Sequence, residues 1–110
     1  MTDARLEIAA GFATAQGPKA DNQDFGGVHI GTAAEQREHG VVAVITGGVS
    51  GSKAGRMAAE LTTRSSIDGY LDQNPLNGIA ANGIKALRGF NRWLHARGRI
   101  DPAMEATATT

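Results

Sequence analysis

Leu6, Ile8, Ala10 and Phe12 alternate with Arg5, Glu7, Ala9 and Gly11. This period of two predicts a half-buried strand. A polar loop over 15–24 follows, holding the turn formers Gly17 and Pro18. Phe25 to Ile30 reads as a second, short strand that Gly26 and Gly27 weaken, and Thr32 to Gly40 reads as a connecting loop between strands. Val41, Val42, Ala43, Val44 and Ile45 form an unbroken apolar run between Gly40 and Gly47-Gly48. Such a run predicts a strand buried on both faces. A glycine- and serine-rich loop then leads into a helix from about Lys53 to Leu71, with Ala54, Met57, Ala58 and Leu61 as its apolar stripe, followed by Ile67, Tyr70 and Leu71. Asn74-Pro75 breaks it. A second helix is expected from about Leu76 to Ala96, with Ala80, Gly83, Ile84, Leu87, Phe90 and Leu94 on one side and Gly98 as its stop. The threonines of Thr107-Ala108-Thr109-Thr110 are strand-prone and suggest a fourth strand, cut short.

The pattern therefore predicts an α+β fold of about three strands, two helices and a truncated fourth strand, in one domain spanning 1–110. A strand apolar on both sides needs a second covering layer that two helices do not supply. The remainder of a domain, or a partner chain, is the expected complement. Composition points the same way: only 5 % of the residues are aromatic and 15 are glycine, so the core is built from small side chains.

Eleven basic and eleven acidic residues cancel. The balance argues against a nucleic-acid partner, for which Arg88, Arg92, Arg97 and Arg99 are the nearest candidates. With no cysteine there is no disulfide framework, thiolate nucleophile or Cys-based zinc site. No basic segment followed by an apolar run opens the chain, and no window reaches the ~18 apolar residues of a membrane span. The expectation is a cytoplasmic protein without a membrane partner.

Two segments could carry chemistry. Lys19-Ala20-Asp21-Asn22-Gln23-Asp24 combines two carboxylates with amide oxygens, donors suited to magnesium, manganese or calcium. The same residues also serve as an Asx-rich turn capping its own backbone, the commoner use of such a stretch. The second segment, Gly47 to Gly55, links a strand to a helix N-terminus, where free N–H groups favour an anion. It misses the P-loop pattern at Ser52 and Ala54, and only Lys53 matches. His29, His39 and His95 have no metal-ligand spacing, and Ser50 and Ser52 have no histidine nearby in sequence. Phe90 and Trp93 fit a core or a partner-facing patch.

Together the two segments resemble the first two motifs of the bacterial type 2C metal-dependent protein serine/threonine phosphatases. Lys19 to Phe25 is similar to the motif in which a basic residue precedes Asn-Glu/Gln-Asp, and Val41 to Ser52 to the strand that runs into Ala-Asp-Gly-Val/Met-Gly/Ser-Gly. Phe90 to Leu94 and Ala106 to Thr110 add to the likeness, which extends from Ile8 to Thr110. The resemblance implies the amino-terminal portion of a β-sandwich with flanking helices, a cofactor pair of manganese or magnesium ions, and a phosphoserine or phosphothreonine protein as substrate. It places Asp24 and the Gly48 carbonyl at the metals, Gln23 where many members have glutamate, and Lys19 where an arginine holds the substrate phosphate. Lysine keeps that charge but lacks the bidentate fork. The departure is Gly47, which stands where the family has the metal-bridging aspartate. The motifs that supply further aspartates would follow Thr110. No catalytic residue is therefore assigned with certainty, and a chain inactive by itself is expected. Other readings are a pseudophosphatase-like module that binds a phosphoprotein or partner, and a nucleotide-phosphate binder using the Gly47–Lys53 loop. A following kinase domain is a further conceivable partner.

Overall fold

The computed structural model describes residues 6–49, 54–102 and 108–110. Two strands, β1 (Asp24–His29) and β2 (Val42–Gly47), pair antiparallel, with Asp24 opposite Gly47 and His29 opposite Val42. A two-stranded ribbon is marginal in water without a packed layer. Helix α2 (Gly55–Leu71) supplies that layer on one face and is itself backed by α3 (Ile79–Ile100).

Between the strands lies a short helix, α1 (Ala33–His39), where a loop was expected. Its cause is a reciprocal cap: the Thr32 hydroxyl accepts the Glu35 N–H at 3.2 Å, while Glu35 Oε1 accepts the Thr32 N–H at 3.0 Å. Gly40, at φ 74°, ends it, donating its N–H to the Gln36 carbonyl.

The expected first strand does not form; residues 6–16 have no regular structure. Ala9, Ala10 and Gly11 are weak strand formers, and the segment is attached at separate points instead of by a ladder. The Leu6 N–H donates to Gln36 Oε1 at 2.8 Å. Phe12 lies so close over Gly26 that a Cβ there would stand 2.5 Å from its ring. The described fold thus has two strands and three helices rather than three and two. At the other end, Thr109 forms an antiparallel bridge with Gly48, which agrees with the strand expected there, although 103–107 lie outside the described residues.

Nor is β2 buried on both faces. Alternate residues Val42, Val44 and Thr46 turn toward α2, while Ile45 is 79 % exposed and Val28, on the same outer face of β1, is 43 % exposed. The helix stripes are also rotated from their expected positions. In α2 the buried residues are Gly55, Ala58, Ala59, Thr62, Thr63, Ser66 and Tyr70, and Met57 is exposed. Small side chains let the helix approach the glycine-bearing β1 closely: a Cβ on Gly27 would stand 3.0 Å from Thr63. In α3, Asn82, Ala86 and Leu94 face inward, whereas Ile84 and Leu87 face solvent. Ala86 packs over Gly69, and Asn82 donates to the Asn74 carbonyl at 2.9 Å, tying α3 to the 3-10 turn Pro75–Asn77. Gly98 does not stop α3, which continues to Ile100.

Candidate functional site

The loop before β1 is shaped by its own side chains. Asn22 Oδ1 accepts the Asp24 N–H at 3.1 Å, an Asx turn, and Asn22 Nδ2 donates to Thr14 Oγ1 at 2.9 Å. Arg56, in the first turn of α2, donates to the Asn22 carbonyl at 3.1 Å. The turn reading of this segment is thus part of the structure, and it leaves the Asp24 carboxylate at the mouth of a cleft.

That cleft, of about 410 Å³, is lined by Lys19, Asp21, Asn22, Gln23, Asp24 and Gly48 among others. The two sequence segments therefore meet. The Gly48 N–H donates to the Gln23 carbonyl at 2.9 Å, and β-pairing sets Asp24 across from Gly47. A Cβ at position 47 would stand 2.9 Å from Asp24 Oδ1. An aspartate at 47 would accordingly put a second carboxylate against the first, on the same sheet face.

Gly48 and Gly55 are required by close approach. A Cβ on Gly48 would be 2.6 Å from Gln23 Oε1 and 2.7 Å from the Gly55 carbonyl, and one on Gly55 would be 2.5 Å from Gln23 Oε1. The Gln23 amide fills the seam between them. Thr109 and Thr110 close the far side of Gly47. Their backbones and hydroxyls exchange bonds with it, the shortest from the Thr110 N–H to the Gly47 carbonyl at 2.7 Å. No motif signalled Arg56 as a clamp on this loop. The threonine tail was legible only as a strand.

The donor set does not fit a pair of divalent cations. Hard cations of this kind take six or more oxygen ligands, with anions to offset their charge. The cleft offers the carboxylates of Asp21 and Asp24, and among the described residues no group of three or more histidine, aspartate or glutamate side chains converges as a metal site. Lys19, the residue expected to meet a phosphate, lines the same cleft as Asp24. The Gly47–Lys53 anion loop lies in part outside the described residues, Lys53 included; α2 opens at Gly55 after Ala54, whose φ of 52° is left-handed.

None of the histidines lines the cleft. His29 Nε2 lies 2.8 Å from Glu35 Oε2, His39 is buried with its ring edge-on to Tyr70, and His95 is exposed on α3. Glu35 has its pKa lowered, first by the bond from the Thr32 backbone N–H and then by that from His29. Phe90 and Trp93 stack at 5.6 Å away from this cleft, beside the groove between α2 and α3. No helix among the described residues is long and apolar enough to cross a membrane. The chain matches no family model, and comparison with curated proteins and with solved structures likewise returns no match.

Proposed function

We propose that this chain carries the metal-facing half-site of a type 2C-like phosphoester hydrolase, rendered catalytically silent by glycine at position 47. The observation that supports the reading is the juxtaposition of Asp24 with Gly47, across one β-pair and at the rim of a cleft that also holds Lys19 and Gly48. Phosphoryl transfer by paired cations needs carboxylates bridging the ions so that a bound water becomes acidic and the phosphoryl oxygens are neutralised. Asp24 supplies one carboxylate and position 47 none. What remains is a basic residue beside a small anionic cleft. With two carboxylates to one lysine, that set lacks the cations that would hold a phosphoryl group and cleaves no phosphoester by itself.

The test is Gly47→Asp. Without metal, two carboxylates opposed across a β-pair repel, so this variant unfolds at a lower temperature than the parent. Manganese reverses that loss and gives a saturable calorimetric isotherm, which Asp24→Asn then removes. The reading fails if Gly47→Asp binds manganese no better than the parent chain.

The uncovered outer sheet face favours a second reading, a module that holds a partner chain without metal. In that case capture of the partner survives chelation and is lost in Ile45→Asp.

A further inference from the structure

Helix α3 carries Lys85, Arg88, Arg92, Arg97 and Arg99 and no acidic residue, in a chain whose formal charge is zero. Lys85, Arg88, Arg92 and Arg99 recur at intervals that keep them within an arc of roughly 60° and spread them along about 21 Å of the helix. Arg88, Arg92 and Arg99 point away from Ala86 and Leu94, which seat α3 on the rest of the fold, while Lys85 stands at the edge of the arc beside the α2–α3 groove. Among the described residues no acidic side chain pairs with any of these four cations. Arg88 and Arg92 stand one turn apart, a spacing at which like charges destabilise a helix. Of the four, only Arg99, in the last turn, favours the helix, through its dipole.

Alongside it runs an exposed apolar row. Ile84 and Leu87 are 50 % and 54 % exposed. A nucleic-acid backbone, or an acidic protein face, would use the cations and leave this row in water. An anionic bilayer surface uses both, because apolar side chains enter the headgroup boundary while neighbouring Lys and Arg reach acidic headgroups. We infer that the outer face of α3 docks this protein on anionic lipid surfaces, with the helix lying in the plane of the membrane. The lack of a membrane span does not bear on it, since a surface helix crosses nothing.

Sedimentation with phosphatidylcholine vesicles, with and without phosphatidylglycerol, tests this on the whole chain. The expected result is binding only to the phosphatidylglycerol vesicles, released by added salt. Arg88→Gln with Arg92→Gln should weaken it by about fivefold per cation, and Ile84→Ser with Leu87→Ser should weaken it as well. All four side chains are exposed; circular dichroism and emission from Trp93, the single tryptophan, report whether each variant is folded. If the arginine pair fails to fold, Arg92→Gln alone carries the fivefold expectation. Equal binding to both vesicle types, or none to either, overturns the proposal. So does a serine pair that binds as the parent while duplex RNA displaces the vesicles, the outcome that assigns the stripe to a polyphosphate.

Discussion

The two faces of the β1–β2 ribbon are built from the same strands and meet opposite surroundings. On the inner face, Thr46 and Thr63 share a hydrogen bond at 2.8 Å, and the Thr46 hydroxyl donates to the Ala59 carbonyl at 2.7 Å. Ala59 has no exposed surface and Gly27 lies against Thr63 and Ile67. On the outer face, Val28, Ala43 and Ile45 border a shallow apolar hollow that, among the described residues, Phe12 and its neighbours edge. The inner side is held by close approach and the paired Thr46 and Thr63 hydroxyls; among the described residues nothing large covers the outer side. Apolar character therefore does not tell which face of a strand is packed. Close fit to a neighbouring element does.

The sharpest way to break the inner face is to force it open. Ala59→Leu adds three carbons where β2 already touches α2, and overpacking of this kind costs about 3 kcal/mol. Urea unfolding should show a midpoint well below that of the parent. A change near zero would mean that α2 and the sheet are not in contact in solution.

Next in size is Thr46→Val. It removes the acceptor of the Thr63 hydroxyl and leaves a buried polar group without that partner, a loss of about 1–3 kcal/mol. The double variant Thr46→Val/Thr63→Val should cost less than the sum of the single ones, because both ends of the bond are then apolar. Strict additivity in thermal unfolding would show that the hydroxyl pair does not hold the two elements together.

How far this arrangement was legible depends on the element. A strand was legible at Val41 to Ile45, within two residues of β2 at either end, because β-branched residues between glycines admit few alternatives, and the Asp24–Gly48 meeting followed from motif order. The covered face was not, since the side that α2 chooses is decided by Thr62, Thr63 and Ser66, polar residues that a search for apolar stripes passes over. The two threonine hydroxyls have partners within reach, Thr62 bonding the Ala58 carbonyl at 2.7 Å and Thr63 bonding Thr46, whereas Ser66 Oγ is buried with no partner among the described residues. Helix α1 was legible and missed: Thr32 and Glu35 have the spacing of a capping box, but the segment holds too few apolar residues to show a stripe. The exposure of Leu6 to Phe12 was out of reach, because alternation describes a strand's two sides without supplying the neighbour it must pair with.

A smaller effect sits where α1 meets the end of the inner face. Glu35 caps α1 and also contacts His29 of β1, and its carboxyl titrates below the ordinary value of 4.5. A lowered folded-state pKa means that the contribution is complete above the unfolded value and disappears as pH falls through the folded one. Stability should thus fall on acidification below 4.5. Glu35→Gln keeps a capping oxygen but cannot titrate, so its stability should vary less with pH over that range. Parallel pH profiles for the two proteins would remove Glu35 from the account.

The smallest change is expected on the outer face, and it is the one that most directly tests the contrast. Ile45→Thr retains β-branching, so strand propensity is nearly constant and only apolar contact is lost. At 79 % exposure there is little contact to lose, and the shift should stay within about 0.5 kcal/mol. Measured by urea unfolding at two protein concentrations, the variant and parent should differ equally little at both. A loss of several times that size would mean that the outer face is covered in solution. If it grew with concentration, the cover would be a second copy of the chain, since stability gained by association depends on how much partner is present. If it did not, the cover would come from within the same chain, with Phe12 closing further over Val28 and Ile45 than its place over Gly26 allows.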